Sequence, residues 1–320
     1  MKLSILDQSP IFYGETEGDA LQSSTELAVL ADRLGYTRYW VTEHHDLANV
    51  ACPSPEVLLS YIGAHTKQIR LGAGAILLPH YQPYKVVEIF HTLATLFPNR
   101  IDLGLGRAPG GSAEATTALS PRFLEEVRKM PEKVEELLHF LHHDFPKDHL
   151  FHNVQAKPIP NHRPEPWLLG TGKKSALLAA EYNLSYAFGY FMSDQDGKEI
   201  FNTYRTHFVG EKPYTILAVS VICSETKERA DELAHWTNVM NEARTKGNQT
   251  LLSVEEAKHI SLPTKSDTKF ISGTFETVKQ KLLNLEKEFE PDELMITTIT
   301  PNREERLTSF QLLSKAIQKE

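Results

Sequence analysis

The sequence has few cysteines, no excess of basic charge and no long apolar run. Its only cysteines are Cys52 and Cys223, far apart and without a Cys-x-x-Cys pair, which disfavours a disulfide framework and a zinc site. The formal net charge of −8 disfavours nucleic acid and anionic membranes as partners, because both bind basic surfaces. The N-terminal apolar run is broken by Asp7 and Pro10. It therefore predicts a strand rather than a signal peptide, and we expect a cytoplasmic protein without a membrane span.

The turn after this first predicted strand also lacks the glycines of a dinucleotide-binding fingerprint. It is Gln8-Ser9-Pro10, where an open doubly wound sheet usually carries G-x-G-x-x-G. No Gly- or Ser-rich linker divides the chain, so we treat residues 1–320 as one domain with loop insertions at about 145–166 and 246–268. Long loops in enzymes often carry function. The second insertion is predicted to act as part of a lid over the ligand.

Strand-like and helix-like segments alternate along the chain. Eight segments have strand character, and each is followed by at least one helical segment. These strands are predicted at 3–6, 37–42, 69–78, 101–106, 167–169, 185–188, 215–223 and 293–298. A right-handed βα repeat of this count closes into a (β/α)8 barrel, in which ligands bind at the C-terminal ends of the strands.

The stretch RIDLGLGRAPGG, residues 100–111, is the most informative of these strands. Three apolar residues alternate with Asp102, Gly104 and Gly106, which opens one face of the strand to close approach by another backbone or a ligand. Arg107 follows directly, at the C-terminal end of the strand. A guanidinium in that position suits an anionic or planar ligand. The alternative is an ordinary surface arginine after a strand.

The second predicted strand ends in Glu43-His44-His45. Histidine is the side chain best suited to proton transfer near neutral pH. Adjacent residues in a strand point to opposite faces, so the two imidazoles are poorly placed to share a metal. We predict one catalytic and one structural histidine, the alternative being two hydrogen-bonded loop histidines. The histidines within 139–152 lack a completing carboxylate or cysteine pattern, and no metal site is predicted.

Two further segments combine small residues with strand ends. Gly74 and Ala75, in GAGAILLP, allow either the approach of a flat ring or close packing inside the barrel. The segment GTGKKS, residues 170–175, enters a helix, whose N-terminal N–H groups attract phosphate. It lacks the spacing of a P-loop, and the alternative is an ordinary capped turn. Arg107, from the preceding strand, is placed to reach the same phosphate.

Four segments in fixed order resemble the luciferase-like flavin monooxygenase family. They are WVTEHH (40–45), LGAGAILLPHYQP (71–83), NRIDLGLGRAPG (99–110) and PWLLGTGKKSALLAAE (166–181). The resemblance implies a bacterial luciferase-like (β/α)8 barrel that binds reduced FMN or, in some relatives, the deazaflavin F420. Light-emitting relatives carry cysteine where this chain has Gly106, so bioluminescence is not expected.

The resemblance also implies roles for individual residues. His44 would be the active-site histidine near the reactive carbon of the flavin, and Glu43 would sit in the flavin pocket. Gly74 and Ala75 would line the isoalloxazine ring, joined by a non-prolyl cis peptide as in relatives. The phosphate would be held by residues that follow the fourth and fifth strands, namely Arg107, Gly170, Thr171, Gly172 and Ser175.

The activity implied is two-component monooxygenation. A separate reductase would supply reduced FMN, and O₂ would oxidise a small organic substrate in a dry pocket. Two alternatives are F420-dependent hydride transfer and flavin binding without turnover. Relatives imply a homodimer or homotetramer. The aromatic residues proposed to line the substrate pocket are Phe12, Tyr13, Tyr81, Phe188 and Tyr190.

Overall fold

A computed structural model of the chain describes residues 1–245, 251–261 and 270–317. Its strands are β1 (Leu3–Asp7), β2 (Arg38–Val41), β3 (Arg70–Leu77), β4 (Ile101–Gly106), β5 (Glu165–Gly170), β6 (Ser185–Gly189), β7 (Thr215–Cys223), β8 (Phe270–Gly273) and β9 (Glu293–Thr297). Most of the predicted lid at 246–268 lies outside the described residues, apart from 251–261.

Helices separate almost all of these strands. They are α1 (Glu17–Leu34), α2 (Pro55–His65), α3 (Pro83–Leu96), α4 (Ala113–Leu119), α5 (Phe123–Arg128), α6 (Met130–His142), α7 (Lys173–Glu181), α8 (Gly197–His207), α9 (Lys227–Thr245), α10 (Val254–Lys258), α11 (Phe275–Phe289) and α12 (Arg303–Ser314). Among the described residues, none of these helices has both the length and the apolar composition needed to cross a bilayer.

Eight strands form a closed parallel barrel, as predicted. Their order is β6-β5-β4-β3-β2-β1-β9-β7, and β7 pairs with β6 to complete the ring. The outer face of the barrel packs against the helices through one large apolar core, to which Leu3, Val41, Leu59 and Phe90 belong. The (β/α)8 architecture is therefore confirmed, and it brings the C-terminal ends of the strands together at one rim.

The strand β8 was not predicted. It pairs in parallel with the end of β7, residues 220–223, beyond the part of β7 that pairs with β6. It therefore adds a short strand beside the end of β7 and takes no part in barrel closure. Its four residues, FISG, are too few to show an alternating pattern, which is why the periodicity of the sequence does not reveal it.

The barrel interior is filled in layers below the rim. At the N-terminal end, the buried Arg38 lies 2.8 Å from Asp102 and 3.1 Å from Glu293. Burial lowers the pKa of Arg38, but the two carboxylates outweigh it and raise that pKa well above its ordinary value. Above them, the rings of Trp40 and Trp167 pack edge to face at 5.2 Å. These layers fill the interior of the barrel below the rim.

Glycines let β3 and β4 approach closely just below that rim. A Cβ atom on Gly104 would lie 2.1 Å from the carbonyl oxygen of Ala73, and one on Gly106 would lie 2.9 Å from the Cβ of Ala75. The register between the two strands also shifts between Ala73 and Ile76. The alternation of glycine with apolar residues in β4 thus has a steric cause. On the face of β4 that the sequence predicts to be open, the residues of β3 leave no room for a Cβ atom on Gly104 or Gly106.

Residues 143–164, where the sequence predicts a loop at 145–166, contain neither helix nor strand. It runs from the end of α6 to the start of β5, which places it at the N-terminal face of the barrel. His91 Nδ1 lies 2.6 Å from the carbonyl oxygen of Ala156, and Phe145 stacks on His149 with the ring centroids 4.5 Å apart. The loop is therefore anchored on α3 and α6, at the opposite end from the rim.

Candidate functional site

A cavity of about 400 Å³ opens at the C-terminal rim of the barrel. Eight of the nine predicted site residues line it, and they are Glu43, His44, Gly74, Ala75, Arg107, Gly170, Thr171 and Ser175. The volume is in the range of small-molecule and cofactor sites. The ninth residue, Gly172, is not among the lining residues, and its carbonyl accepts a 2.7 Å hydrogen bond from the Ser175 hydroxyl. We call this space the rim cavity.

One wall of the rim cavity is flat and lacks large side chains. It is formed by Gly74, Ala75 and Gly106 at the ends of β3 and β4. The peptide bond between Gly74 and Ala75 is cis, as the resemblance implies. The floor is apolar and includes Leu6 and Met295. A flat wall over an apolar floor suits a planar ring system such as the isoalloxazine of a flavin.

The other end of the rim cavity is polar and cationic. Arg107 is exposed to it, and the hydroxyl of Ser175 lies 3.0 Å from that of Tyr186. Burial raises the pKa of Tyr186 to about 12, while Ser175 and Arg107 oppose that rise, so these three groups share one electrostatic neighbourhood. A Cβ atom on Gly170 would lie 2.0 Å from the Ser175 hydroxyl oxygen. Glycine is thus required for Ser175 to occupy this place at the start of α7, where phosphate is favoured.

A second recess of about 350 Å³ continues beyond this cationic end. It shares Arg107, Leu169 and Ser175 with the rim cavity and adds Arg128 and Lys174. The sequence analysis did not identify Arg128, because it is the last residue of the short helix α5 and belongs to no motif. Three cationic residues, Arg107, Arg128 and Lys174, therefore line this recess.

The two adjacent histidines have different surroundings, although both lie in the loop after β2, which ends at Val41 rather than continuing to them as the strand prediction implied. His44 lines the rim cavity, and its Nδ1 is 2.9 Å from the Thr42 hydroxyl. His45 does not line the rim cavity. Its Nε2 lies 2.9 Å from a Glu43 carboxylate oxygen and its backbone N–H donates to the carbonyl of Gly110. His44 therefore faces the rim cavity, and His45 fixes the loop that follows β2.

Glu43 is buried, and both of its carboxylate oxygens accept hydrogen bonds from the protein. One accepts from the Tyr81 hydroxyl at 2.8 Å and lies against His45, and the other accepts from the backbone N–H of Leu77 at 3.0 Å. Burial and the Glu43 charge together raise the pKa of Tyr81 far above its ordinary value. Glu43 lines the rim cavity as predicted, but its hydrogen bonds identify it as a positioning residue that holds the end of β3.

Replacing Glu43 with glutamine is expected to destabilise the fold by about 1–3 kcal/mol, because an amide cannot accept on both sides and leaves a buried donor without its acceptor. Chemical denaturation measures this loss as a shift of the unfolding midpoint. The control is Glu125→Gln, at a side chain that is 53% exposed, which should leave the midpoint unchanged. Equal midpoints for both variants would contradict the role assigned to Glu43.

The predicted aromatic lining is wrong on β6, where Phe188 is the one candidate. Phe188 is fully buried in the core between barrel and helices, so its assignment to the substrate pocket is wrong. Its neighbours Ala187 and Gly189 face the rim cavity instead, together with Phe191 and Met192 from the turn that follows. A strand of five residues gives no independent indication of which alternate set faces inward, which explains the error.

The remaining aromatic candidates occupy three different places. Phe12 and Tyr13 line a separate cavity of about 60 Å³, called here the small cavity, which shares Gln8 with the rim cavity. Tyr81 is held by Glu43. Tyr190 packs against the ring of Phe289 on α11, with the centroids 5.4 Å apart. The polar and aromatic residues around the rim therefore divide between two adjoining spaces.

Within residues 1–245, 251–261 and 270–317, no group of three His, Cys, Asp or Glu side chains is placed to hold a metal ion. The histidines of α6 and the following loop have structural partners. His139 Nδ1 lies 2.7 Å from Asp144, and His152 Nδ1 lies 2.8 Å from the carbonyl oxygen of Phe145. His139 and His152 are therefore each held by a contact within the chain.

Known proteins resemble the chain over nearly its whole length. A family model described as luciferase-like monooxygenase matches residues 1–288. An N-acetyl-S-alkylcysteine monooxygenase of Bacillus subtilis is 38% identical, with 99% of this chain and 98% of the relative covered. Among solved structures, that of apo-MsnO8 superposes with a TM-score of 0.91 at 33% identity, covering 99% of this chain and 98% of that one.

A more distant structure of the same fold contains a flavin. The oxygenating constituent of 3,6-diketocamphane monooxygenase from Pseudomonas putida, in complex with FMN, has a TM-score of 0.76 at 19% identity, with 98% and 97% of the two chains covered.

Another structure of the same fold contains a deazaflavin. An F420-dependent secondary alcohol dehydrogenase has a TM-score of 0.68 at 13% identity, with 99% of both chains covered. The same barrel therefore serves either cofactor in different proteins.

Proposed function

Because the chain belongs to the luciferase-like monooxygenase family, we propose that it uses reduced FMN and O₂ to oxidise a small organic molecule. Membership of this family makes it an oxidoreductase that incorporates oxygen. The observation that supports the choice of FMN is the rim cavity, whose flat wall at Gly74 and Ala75 leads to a cationic end at Arg107 and Ser175. A planar ring joined to a phosphate matches both ends.

The residues of the rim cavity fit a flavin in three ways. Arg107, Ser175 and the N-terminus of α7 would hold its phosphate. Gly74, Ala75 and Gly106 would orient its ring, and the apolar floor would exclude water. His44, oriented by Thr42, would hold or transfer a proton at Nε2. Reduced FMN, when bound, supplies the two electrons with which one atom of O₂ enters the substrate and the other leaves as water.

The second candidate is hydride transfer with F420. The recess beyond Ser175, with Arg128 and Lys174, favours it, because it offers space and positive charge for anionic groups beyond the first phosphate. Flavin binding without turnover is the third. All three candidates share the rim cavity and differ in which cofactor binds and whether O₂ is consumed.

An anaerobic titration with reduced FMN and with reduced F420 tests the cofactor. We expect saturable binding of reduced FMN and, on admission of air with a thioether substrate and a flavin reductase, O₂ consumption coupled to product. Binding of F420 alone would replace the proposal with hydride transfer. Binding of FMN with no product from a panel of thioethers, sulfides and ketones would support the non-catalytic candidate.

The partners follow from the same proposal. The turn after β1 lacks a dinucleotide fingerprint, which supports a separate flavin reductase as the source of reduced FMN. A homodimer or homotetramer stays our prediction, and sedimentation equilibrium tests it. The prediction of a lid near 246–268 also stays open to test by hydrogen exchange with and without reduced FMN.

We propose an N-acylated cysteine thioether as the substrate class. The relative named N-acetyl-S-alkylcysteine monooxygenase supports this choice, since it is 38% identical over 99% of this chain. Such a molecule has an oxidisable sulfur and an amide carbonyl on the same short frame. The sulfur would lie in the rim cavity, and the product would carry one oxygen atom from O₂.

A further inference from the structure

The small cavity lies between the ends of β1 and β9 and the helix α9. Its walls are mostly apolar and include Phe12, Trp236, Met240 and Leu252. One charged side chain, Arg306 from the first turns of α12, lines it as well. Its volume of about 60 Å³ has room for about four waters, which is too small for a flavin and comparable to a group of four heavy atoms.

Arg306 has hydrogen-bond donors that the protein does not satisfy. Its side chain is 2% exposed, and Nη2 pairs with a carboxylate oxygen of Asp7. Its Nε and Nη1 atoms are buried and, among the described residues, have no hydrogen-bond partner. Leaving buried guanidinium donors unsatisfied is costly. The structure therefore places a guanidinium with two unsatisfied donors in the wall of the small cavity.

The charge of Arg306 is already balanced. Burial raises the pKa of Asp7, but Arg306 and hydrogen bonds that include those from Tyr39 and the backbone N–H of Ser9 outweigh it and hold the pKa below its ordinary value. The pair is thus an ionised carboxylate against a guanidinium, with no net charge. A second carboxylate would add an uncompensated buried charge, and an ammonium would face the guanidinium without a partner. An uncharged acceptor, such as an amide carbonyl, suits this place best.

We propose that the small cavity recognises the acyl-amide group of the substrate. Its carbonyl oxygen accepts a hydrogen bond from Arg306, and its methyl group packs against Phe12, Trp236 and Met240. An acetamido group has four heavy atoms, which matches the volume. Because Gln8 borders both cavities, a substrate held here by its acyl end extends its sulfur into the rim cavity. This inference rests on the proposed function and specifies which part of the substrate confers selectivity.

A substrate series on the unmodified protein tests the proposal without any variant. N-acetyl-S-methylcysteine carries the acyl amide, 3-(methylthio)propanoate lacks the nitrogen, and S-methylcysteine has a free ammonium. We expect kcat/KM to fall by about 10- to 100-fold from the first to the second, through loss of one charge-assisted hydrogen bond, and further for the third. Equal kcat/KM for the first two, or preference for the free amine, would overturn the proposal.

Arg306→Lys removes the Nε and Nη1 donors and keeps a cation opposite Asp7. We expect this variant to lower kcat/KM for N-acetyl-S-methylcysteine about tenfold or more. The kcat/KM for 3-(methylthio)propanoate and the affinity for reduced FMN should both stay unchanged. The matched control is Arg303→Lys on the same helix, at a side chain that is 37% exposed and paired with Glu26. Equal losses for both substrates in Arg306→Lys would show a structural role only and overturn the proposal.

A binding measurement separates this inference from the oxygenase proposal. Trp236 lines the small cavity, whereas Trp40 and Trp167 are buried in the barrel. N-acetyl-S-methylcysteine added without flavin should change tryptophan fluorescence saturably, and Trp236→Phe should abolish that change. Absence of any saturable change in the unmodified protein would overturn the inference. Failure to bind reduced FMN or to consume O₂ would instead defeat the proposed function and leave this fluorescence change in place.

Discussion

Replacing Arg107 with alanine is expected to weaken the binding of reduced FMN by about 1.5–3 kcal/mol, or about 10- to 100-fold in Kd. The guanidinium lies at the end of β4, exposed to the rim cavity, near Ser175 and Tyr186. A phosphate held there would exchange a charge-assisted hydrogen bond for water when the side chain is removed. Anaerobic fluorescence or absorbance titration measures the change.

Riboflavin provides the internal control for this prediction, because it has the ring and lacks the phosphate. Its affinity should be the same in the unmodified protein and in Arg107→Ala. The matched control variant is Arg122→Ala, at a side chain that is 74% exposed and lines neither of the two cavities nor the recess. Equal weakening of FMN and riboflavin in Arg107→Ala would assign Arg107 to the shape of the cavity rather than to the phosphate.

Replacing His44 with glutamine is expected to lower the rate of product formation by about 10²- to 10⁴-fold and to leave the affinity for reduced FMN unchanged. Glutamine keeps a hydrogen-bonding side chain facing the rim cavity and removes the imidazole proposed to hold or transfer a proton. The pairing of His44 Nδ1 with Thr42 at 2.9 Å orients the ring, so Thr42→Val should produce a smaller loss in the same direction. Single-turnover assays with preformed reduced FMN measure both.

The readout that distinguishes chemistry from structure is hydrogen peroxide. Because oxygenation is impaired in His44→Gln, the O₂ that this variant consumes should be released as hydrogen peroxide instead of appearing in the product. His65→Gln, at the exposed end of α2, serves as the control with unchanged product and peroxide. Full product yield in His44→Gln would exclude His44 as the proton-transferring group.

The local periodicity of apolar residues predicts the barrel because the pattern within each strand reflects which of its side chains are buried. In β4, the alternation of apolar residues with Asp102, Gly104 and Gly106 predicts both the strand and its open face. The cationic end of the rim cavity is also predictable from short segments. Arg107 follows the end of β4, and Ser175 lies in the first turn of α7, so both lie at the same rim. These features depend on short segments whose geometry the sequence specifies directly.

The errors concern contacts between distant segments or strands too short to define a phase. Phe188 faces the core because the register of β6 between β5 and β7 determines its side, and five residues do not reveal that register. Arg306 meets Asp7 across 299 positions of sequence, a contact that only barrel closure creates. Arg128 reaches the recess beyond the rim cavity from a helix without a motif. Sequence patterns identify candidate residues, whereas tertiary contacts decide which of them share a cavity.

The pairing of β1 with β9 and of Asp7 with Arg306 has a consequence for biosynthesis. Residues on β1 are translated first, and their partners on β9 and α12 emerge from the ribosome hundreds of residues later. Until then Asp7 lacks its cation and β1 has one unpaired edge, which is a hazard for aggregation. The wall that Arg306 provides to the small cavity therefore forms only after β9 and α12 have been translated. A nascent chain stalled before Arg306 would carry the segments proposed to bind flavin but not the group proposed to select the substrate.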